Sequence, residues 1–178
     1  MRKGGSLLLI TDHLPFGYAS ANLAERFGVE MSGGYTWDEA NSPKEFDHPG
    51  IIVFTRKNGT LADHPITQGR DTTERINRII AWQGQSLKGP KGSEAFLKLA
   101  ATAIDRESLL YSAQVVSAAG RAQGIALKFG TGRVIVIGEA AMLSAQLGGK
   151  QKIGMNYPGI DNRQLALNIM HWLSGLLN

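Results

Sequence analysis

The sequence contains no cysteine, no long apolar run and no large excess of charge of one sign. Without thiols the chain has no disulfide, no thiolate nucleophile and no cysteine ligand for a metal. The apolar stretch at residues 7–10 is far shorter than the roughly 18 residues of a membrane span, and too short for a signal-peptide core. The net charge is +4, but the basic residues are scattered and form no stripe, so we expect no nucleic-acid partner.

The remaining composition is that of an ordinary globular protein. The chain has 178 residues, of which 43% are hydrophobic and 19% charged. That length fits one domain, and we expect residues 1–178 to fold as a single α/β unit. The chain as given predicts a cytoplasmic protein, and export would require a signal in an upstream segment.

Short apolar runs predict strands at residues 6–11, 50–55, 76–82, 124–129 and 133–137. The run at residues 6–11 leads into a predicted helix with Phe16, Ala19, Leu23 and Phe27 on one face, ended by Gly28. Asn58-Gly59 predicts a hairpin with a return strand at residues 60–66. A last helix is predicted from Asp161, with Gln164 completing a capping box.

Four stretches together resemble the class I glutamine amidotransferase-like superfamily, in the branch that has lost catalysis. They lie at residues 3–17, 63–69, 132–139 and 161–173. The groups in question are the gliding-motility and ABC-transporter auxiliary type, the intraflagellar-transport type and the trehalose-utilisation type. The resemblance implies a flavodoxin-like, doubly wound, mostly parallel sheet with a hairpin excursion. It also implies further strands before Lys3, and hence an N-terminally truncated fold. Because cysteine is absent, glutamine amidotransferase activity is excluded.

The first candidate site is Asp12-His13, which follows the first predicted strand. Ligands of open α/β sheets bind at the carboxyl ends of strands, and the start of the next helix favours an anion. The alternative is structural, with Asp12 capping the turn and His13 bonded to nearby backbone.

The second candidate is Glu139, which follows the strand at residues 133–137. Strands of one parallel sheet would direct it to the same rim as Asp12, where the carboxylates could hold a metal or act in acid–base catalysis. The alternative is a glutamate that supports a helix start at residues 140–147.

Three further residues complete the candidate site or are set aside. Phe16 and Asn156 would add ligand contacts at the rim, while Asn168 more plausibly satisfies loop backbone. The histidines lack ligand spacing on any one element, so we expect no metal site and no cofactor. A nucleophile elbow is also absent, because Gly84-Gln85-Ser86-Leu87-Lys88 lacks the final glycine.

Three functions remain open from the sequence. The first is a non-catalytic domain that binds a small polar ligand, such as a carbohydrate, or a protein partner at the rim. The second is a hydrolase that uses Asp12, His13 and Glu139, with or without a metal. The third is an assembly module, including a homo-oligomer, that pairs through an open sheet edge.

Overall fold

The computed structural model describes residues 1–110 and 112–178, and strands dominate it. The strands are β1 Ser6–Ile10, β2 Glu30–Met31, β3 Tyr35–Trp37, β4 Ile51–Thr55, β5 Arg78–Trp82, β6 Leu87–Lys88, β7 Glu94–Lys98, β8 Ile104–Arg106, β9 Val115–Ser117, β10 Ala122–Phe129, β11 Gly132–Ile137, β12 Ala145–Gly148 and β13 Gln151–Gly154. The α-helices are α1 Phe16–Glu25, α2 Pro65–Gln68 and α3 Asn162–Ser174. Three single 3₁₀ turns lie at Glu39–Asn41, Lys44–Phe46 and Ala141–Leu143.

The main sheet has the strand order β1-β11-β10-β6-β2, and β7 also pairs with β10. β1 and β11 are parallel, with Leu8 opposite Ile135, whereas β10 pairs antiparallel with β11, β6 and β7. The other strands form three small sheets, β4-β5, β3-β8-β9 and β12-β13, all antiparallel. In the described residues β1-β11 is therefore the one parallel pair.

Helices α1 and α3 cover opposite faces of the β1-β11 pair. The partly buried side chains Leu7 and Leu9 pack with Ala24 and Phe27, at the end of α1 and just beyond it. Leu8 points to the other face and packs on the core that contains Ile169 and other residues of α3. Alternate residues of a strand point to opposite faces, so one short apolar run serves both cores.

The flavodoxin-like prediction is wrong. A doubly wound fold needs parallel strands joined by crossover helices, but residues 51–55 and 78–82 pair antiparallel with each other in a separate sheet. The run at 124–129 also turns back antiparallel onto β11. Apolar runs identify buried strands but carry no information on their direction, which is why the prediction failed.

Two local predictions also fail. Residues 60–66 do not return as a strand beside β4. Leu61 instead bridges to Leu97, while the partner of β4 is β5. The predicted buried face of α1 is exposed at Phe16, Ala19 and Leu23.

The buried residues of α1 are the small ones, Gly17 and Ala24. A Cβ on Gly17 would lie 2.2 Å from Nε2 of Gln85. The face of α1 that is buried is therefore the one whose small residues allow close approach, and not the one that is most hydrophobic.

The final helix is confirmed, although its polar residues act differently from the prediction. Asp161 is the N-cap residue but caps no helical amide, and its Oδ2 accepts from the Asn77 and Arg78 N–H groups. Asn168 donates from Nδ2 to the Ile66 and Glu74 carbonyls, as the structural interpretation expected.

Asn162 at the start of α3 supports a testable prediction. Its Oδ1 accepts from the Ile80 N–H at 3.1 Å, and its Nδ2 donates to the Ile80 and Met142 carbonyls at 2.8 and 3.0 Å. Asn162→Ala leaves three buried main-chain groups unpaired, so we expect a loss of about 2–4 kcal/mol in urea unfolding. The exposed neighbour gives the control, Arg163→Ala, which should change stability by less than about 0.5 kcal/mol. Equal effects of the two variants would contradict the assignment.

Candidate functional site

The parallel pairing of β1 with β11 brings Asp12 and Glu139 together. The ladder continues past the strand ends, since the Thr11 N–H donates to the Ile137 carbonyl at 2.9 Å. The residues that follow β1 and β11 therefore leave the sheet side by side. Burial is the main cause of the raised pKa of Glu139, and repulsion from the nearby Asp12 carboxylate adds to it. The two carboxyl groups are therefore neighbours at this end of the sheet, and their joint role in a site stays a prediction.

Glu139 lies beneath that rim and is fully buried. Its Oε1 accepts from the Ala141 N–H at 2.5 Å and its Oε2 from the Met142 N–H at 2.8 Å. Burial raises the pKa of this carboxyl to about 8, against the lowering effect of hydrogen bonds from Trp82, Met142 and Ala141. The side chain therefore supports the 3₁₀ turn at Ala141–Leu143 and has no exposed oxygen for a ligand.

Asp12 and His13, unlike Glu139, are partly accessible to solvent. Burial raises the pKa of Asp12, while hydrogen bonding and charge from His13 and the Ala140 N–H act in the opposite direction. Asp12 Oδ1 accepts from the His13 N–H at 2.7 Å and lies 3.7 Å from its Nε2. The imidazole Nδ1 lies 2.6 Å from the Leu14 carbonyl, and the ring stacks on Tyr35 with centroids 4.6 Å apart.

The start of α1 is a poor anion site in this structure. The N–H groups of Phe16 and Gly17 both donate to the His13 carbonyl, so two of the first helical donors are already used. Phe16 itself is exposed, and its ring meets the His13 ring edge-on with centroids 6.0 Å apart.

The role of Asn156 at the rim stays a prediction from the sequence. The residue is exposed in the turn after β13, and the neighbouring Tyr157 packs on Phe46 and Trp82. Asp12, His13 and Phe16 thus share one surface, with Glu139 enclosed below.

Gln85 is a positioning residue that sequence reasoning missed. Its side chain is fully buried, donates to the Asp12 carbonyl at 2.7 Å and to Thr11 Oγ1 at 3.1 Å, and accepts from the Gly33 N–H. Its own N–H donates to the Gly138 carbonyl. One residue therefore holds the ends of β1 and β11 together. A glutamine in a glycine-flanked loop carries no sequence signal for that role.

A separate cavity of about 800 Å³ lies beside β3 and β8, and sequence reasoning missed it as well. Its walls include Trp37, Lys44, Asp47, His48 and Arg106. The Arg106 guanidinium carbon lies 4.3 Å from the Trp37 ring centroid, and the His48 ring meets the same indole edge-on at 5.9 Å. The Trp37 Nε1 is buried and has no hydrogen-bond partner among the described residues. The cavity thus combines an aromatic ring with charges of both signs.

The described residues offer no group of three His, Asp or Glu side chains that could hold a metal ion. Within residues 1–110 and 112–178, no helix is long and apolar enough to cross a membrane. What the rim offers chemically is a half-buried carboxyl, an imidazole and an exposed aromatic ring.

Comparisons with known proteins inform the fold and not the function. No protein-family model matches the chain, and no curated protein matches it. A solved structure titled "mmIFT52 N-terminal domain" has a similar fold, with a TM-score of 0.62 and 15% identity over 97% of this chain. This chain spans 66% of that structure's length. A cytoplasmic protein from Salmonella typhimurium LT2 matches at a TM-score of 0.44 and 15% identity, over 97% of this chain and 56% of its own.

The assignment to the glutamine amidotransferase-like superfamily is wrong. The structure is mostly strands in mixed and antiparallel sheets, and the IFT52 N-terminal domain has a similar fold. Two of the resembling stretches, residues 3–17 and 132–139, contain the parallel strands β1 and β11, but β10 continues the sheet antiparallel to β11.

The raised pKa values predict that stability falls as pH rises. Folded Glu139 holds its proton to about pH 8, whereas the ordinary pKa is 4.5. The folded state therefore binds more protons than the unfolded state between these values. The unfolding free energy should then fall across that window, by at most about 1.4 kcal/mol per pH unit for one proton.

Urea unfolding of Glu139→Gln should show a flatter pH profile, because the variant cannot titrate. It should also be less stable at pH 5, since an amide NH₂ would face a main-chain N–H. Glu25→Gln, at an exposed carboxyl, is the control and should keep the wild-type slope. If the unfolding free energy of Glu139→Gln changed with pH as steeply as that of the wild type, the pH dependence would belong to other groups.

Proposed function

We propose that this chain is a non-catalytic protein-assembly module, which binds a strand of another polypeptide along the free edge of β1. The observation that carries the proposal is the position of β1 at the end of the main sheet. In the described residues β1 pairs with β11 on one side only. An uncovered strand edge presents unpaired donors and acceptors that another strand can bond.

The hydrogen bonds to β11 identify which groups are free. The Thr11 N–H and the Gly5 carbonyl both bond toward β11. Main-chain groups alternate along a strand, so residues 5, 7, 9 and 11 face β11 while Ser6, Leu8 and Ile10 face outward. The outer edge thus offers three N–H and C=O pairs to a partner.

The side chains along this edge are apolar and incompletely buried. Leu7, Leu8 and Leu9 are half-buried, and Ile10 is 40% exposed. No charged residue or proline lies between Ser6 and Ile10, although natural proteins commonly protect a free edge with such residues. Burial of this surface by a partner would be favourable.

Helix α1 extends the apolar surface on one face of the sheet. The buried side of α1 is marked by Gly17 and Ala24. With 100° between successive residues, Tyr18 lies to one side of these two positions, and Phe16 and Leu23 lie to the other side. The Tyr18 ring lies against Gly33, toward the β2 end of the sheet. Phe16 and Leu23, which are 61% and 45% exposed, therefore lie on the β1 side.

Helix α3 also has an exposed apolar side chain beside β1, on the opposite face of the sheet. Asn168 faces α2 through its bond to the Ile66 carbonyl. Met170, two residues later, lies on the opposite flank and is 55% exposed. The free edge is thus bordered by exposed apolar side chains above and below.

A peptide probe tests the proposal. We expect the alternating peptide acetyl-Lys-Thr-Val-Thr-Val-Thr-Lys-amide to slow hydrogen exchange at the Ser6, Leu8 and Ile10 amides, by about tenfold at ten times its Kd. The Leu7 and Leu9 amides, already bonded to β11, should not change. Unchanged exchange at all three outward amides up to millimolar peptide would sink the proposal.

Edge-blocking variants supply the controls. Ile10→Lys adds an exposed charge at the edge, so it should fold and lose the peptide effect. Leu8→Pro removes an outward N–H but also the packing of the Leu8 side chain on the α3 side, so it should lose the peptide effect and some stability. Leu9→Pro removes a bond to β11 and should instead lower stability in urea unfolding.

Small-ligand binding is a second candidate, favoured by the cavity beside Trp37. Its volume of about 800 Å³ lies within the range of ligand sites, and its buried indole N–H has no partner among the described residues. We expect one or more of glucose, glycine and glutamate to change tryptophan emission saturably. Trp37→Phe should abolish that change, whereas Trp172→Phe in the distant α3 should keep it. Flat titrations with all three probes would argue against a ligand of this class.

A further inference from the structure

We infer that the strand bound at the β1 edge is β1 of a second copy of this chain, paired antiparallel about a twofold axis at Leu8. The inference rests on the proposed strand-binding function and names its partner. Self-pairing of one short edge about a twofold axis gives a closed, isologous dimer.

The outward residues fit this register. Ser6, Leu8 and Ile10 are placed symmetrically about Leu8, so rotation sets Leu8 opposite Leu8 of the second copy and Ser6 opposite Ile10 of the second copy. In an antiparallel hydrogen-bonded pair, the two residues exchange both N–H···O=C bonds. All three outward pairs of main-chain groups would thus be satisfied together.

The side chains agree with the same arrangement. Residues directly opposite each other in antiparallel strands point to the same face. Ser6 donates from Oγ to the Leu173 carbonyl of α3, and Leu8 packs on the core that α3 covers. The three outward residues therefore all lie on the α3 face, and the twofold axis, normal to the sheet, keeps them there in both copies.

In this dimer each helix lies beside the same helix of the second copy. The same axis places both copies of α1 on one face, with Phe16 of one copy toward Leu23 of the second copy. Both copies of α3 lie on the other face with their Met170 flanks turned inward. Stable interfaces require more apolar area than one strand provides, and these flanks supply it.

Charge favours the antiparallel direction. Lys3 lies just before β1 and Asp12 just after it, with Lys3 exposed and 23% of the Asp12 side chain exposed. Antiparallel pairing brings the Lys3 end of one copy beside the Asp12 end of the other. Parallel pairing would instead bring like charges together at both ends, which costs free energy.

The cysteine-free chain allows a clean cross-linking test. In the inferred register, Ser6 and the opposite Ile10 have Cα atoms about 5.5 Å apart, which a disulfide can span. Two Ser6 residues would be separated by about 13 Å along the strands, which it cannot. Equimolar Ser6→Cys and Ile10→Cys chains, mixed and mildly oxidised, should therefore form a disulfide dimer on a non-reducing gel.

Each single variant alone should stay uncrosslinked. About half of the dimers in the mixture should become linked before the subunits exchange, because pairing is random. The double variant Ser6→Cys/Ile10→Cys should cross-link completely. Self-linking of Ser6→Cys alone would overturn the register. If the protein had a monomeric mass in light scattering at 200 µM and the mixture formed no disulfide, the second copy could not be the partner.

The two proposals fail separately. If the chain is monomeric but the valine–threonine peptide still protects the Ser6, Leu8 and Ile10 amides, the second copy is wrong and strand binding stands. If the peptide also leaves these amides unprotected, strand binding falls with it.

Discussion

The parallel contact between β1 and β11 is the interaction on which the other features depend. It buries Leu7 and Leu9 against one core and Leu8 against the other, so a five-residue strand joins the two helical layers. It also carries Asp12 and Glu139 to the same end of the sheet. Since β11 takes only one side of β1, the other edge is unpaired within the part of the chain that the structure describes.

The sequence was sufficient for the position of several elements but not for their pairing. The strands at residues 124–129 and 133–137 and the final helix follow from apolar spacing and a glycine turn, which are local signals. The partner of β4 is β5, across an intervening segment that contains α2. Such pairing depends on which surfaces remain to be buried, and no short-range pattern records it.

The candidate site divides in the same way. The convergence of Asp12 and Glu139 follows from strand ends, and it could be predicted. The enclosure of Glu139 could not, because Gly84 closes over it from a distant part of the chain. A Cβ at Gly84 would lie 2.6 Å from Glu139 Cβ. A glycine in a loop gives no sign of that close approach, and so a carboxyl expected to meet a ligand is instead satisfied by main-chain donors.

The two ends of the main sheet differ in a way that bears on function. At one end β2 is two residues long, and its Glu30 is paired with Arg121 at 2.7 Å. A short, charged strand of this kind discourages further pairing. At the other end β1 offers five residues without a charge, bordered by Phe16 and Met170. One fold therefore protects one edge and leaves the other apolar and open. This contrast would be unexpected if both edges simply faced solvent, and it is the physical reason to regard β1 as a binding surface.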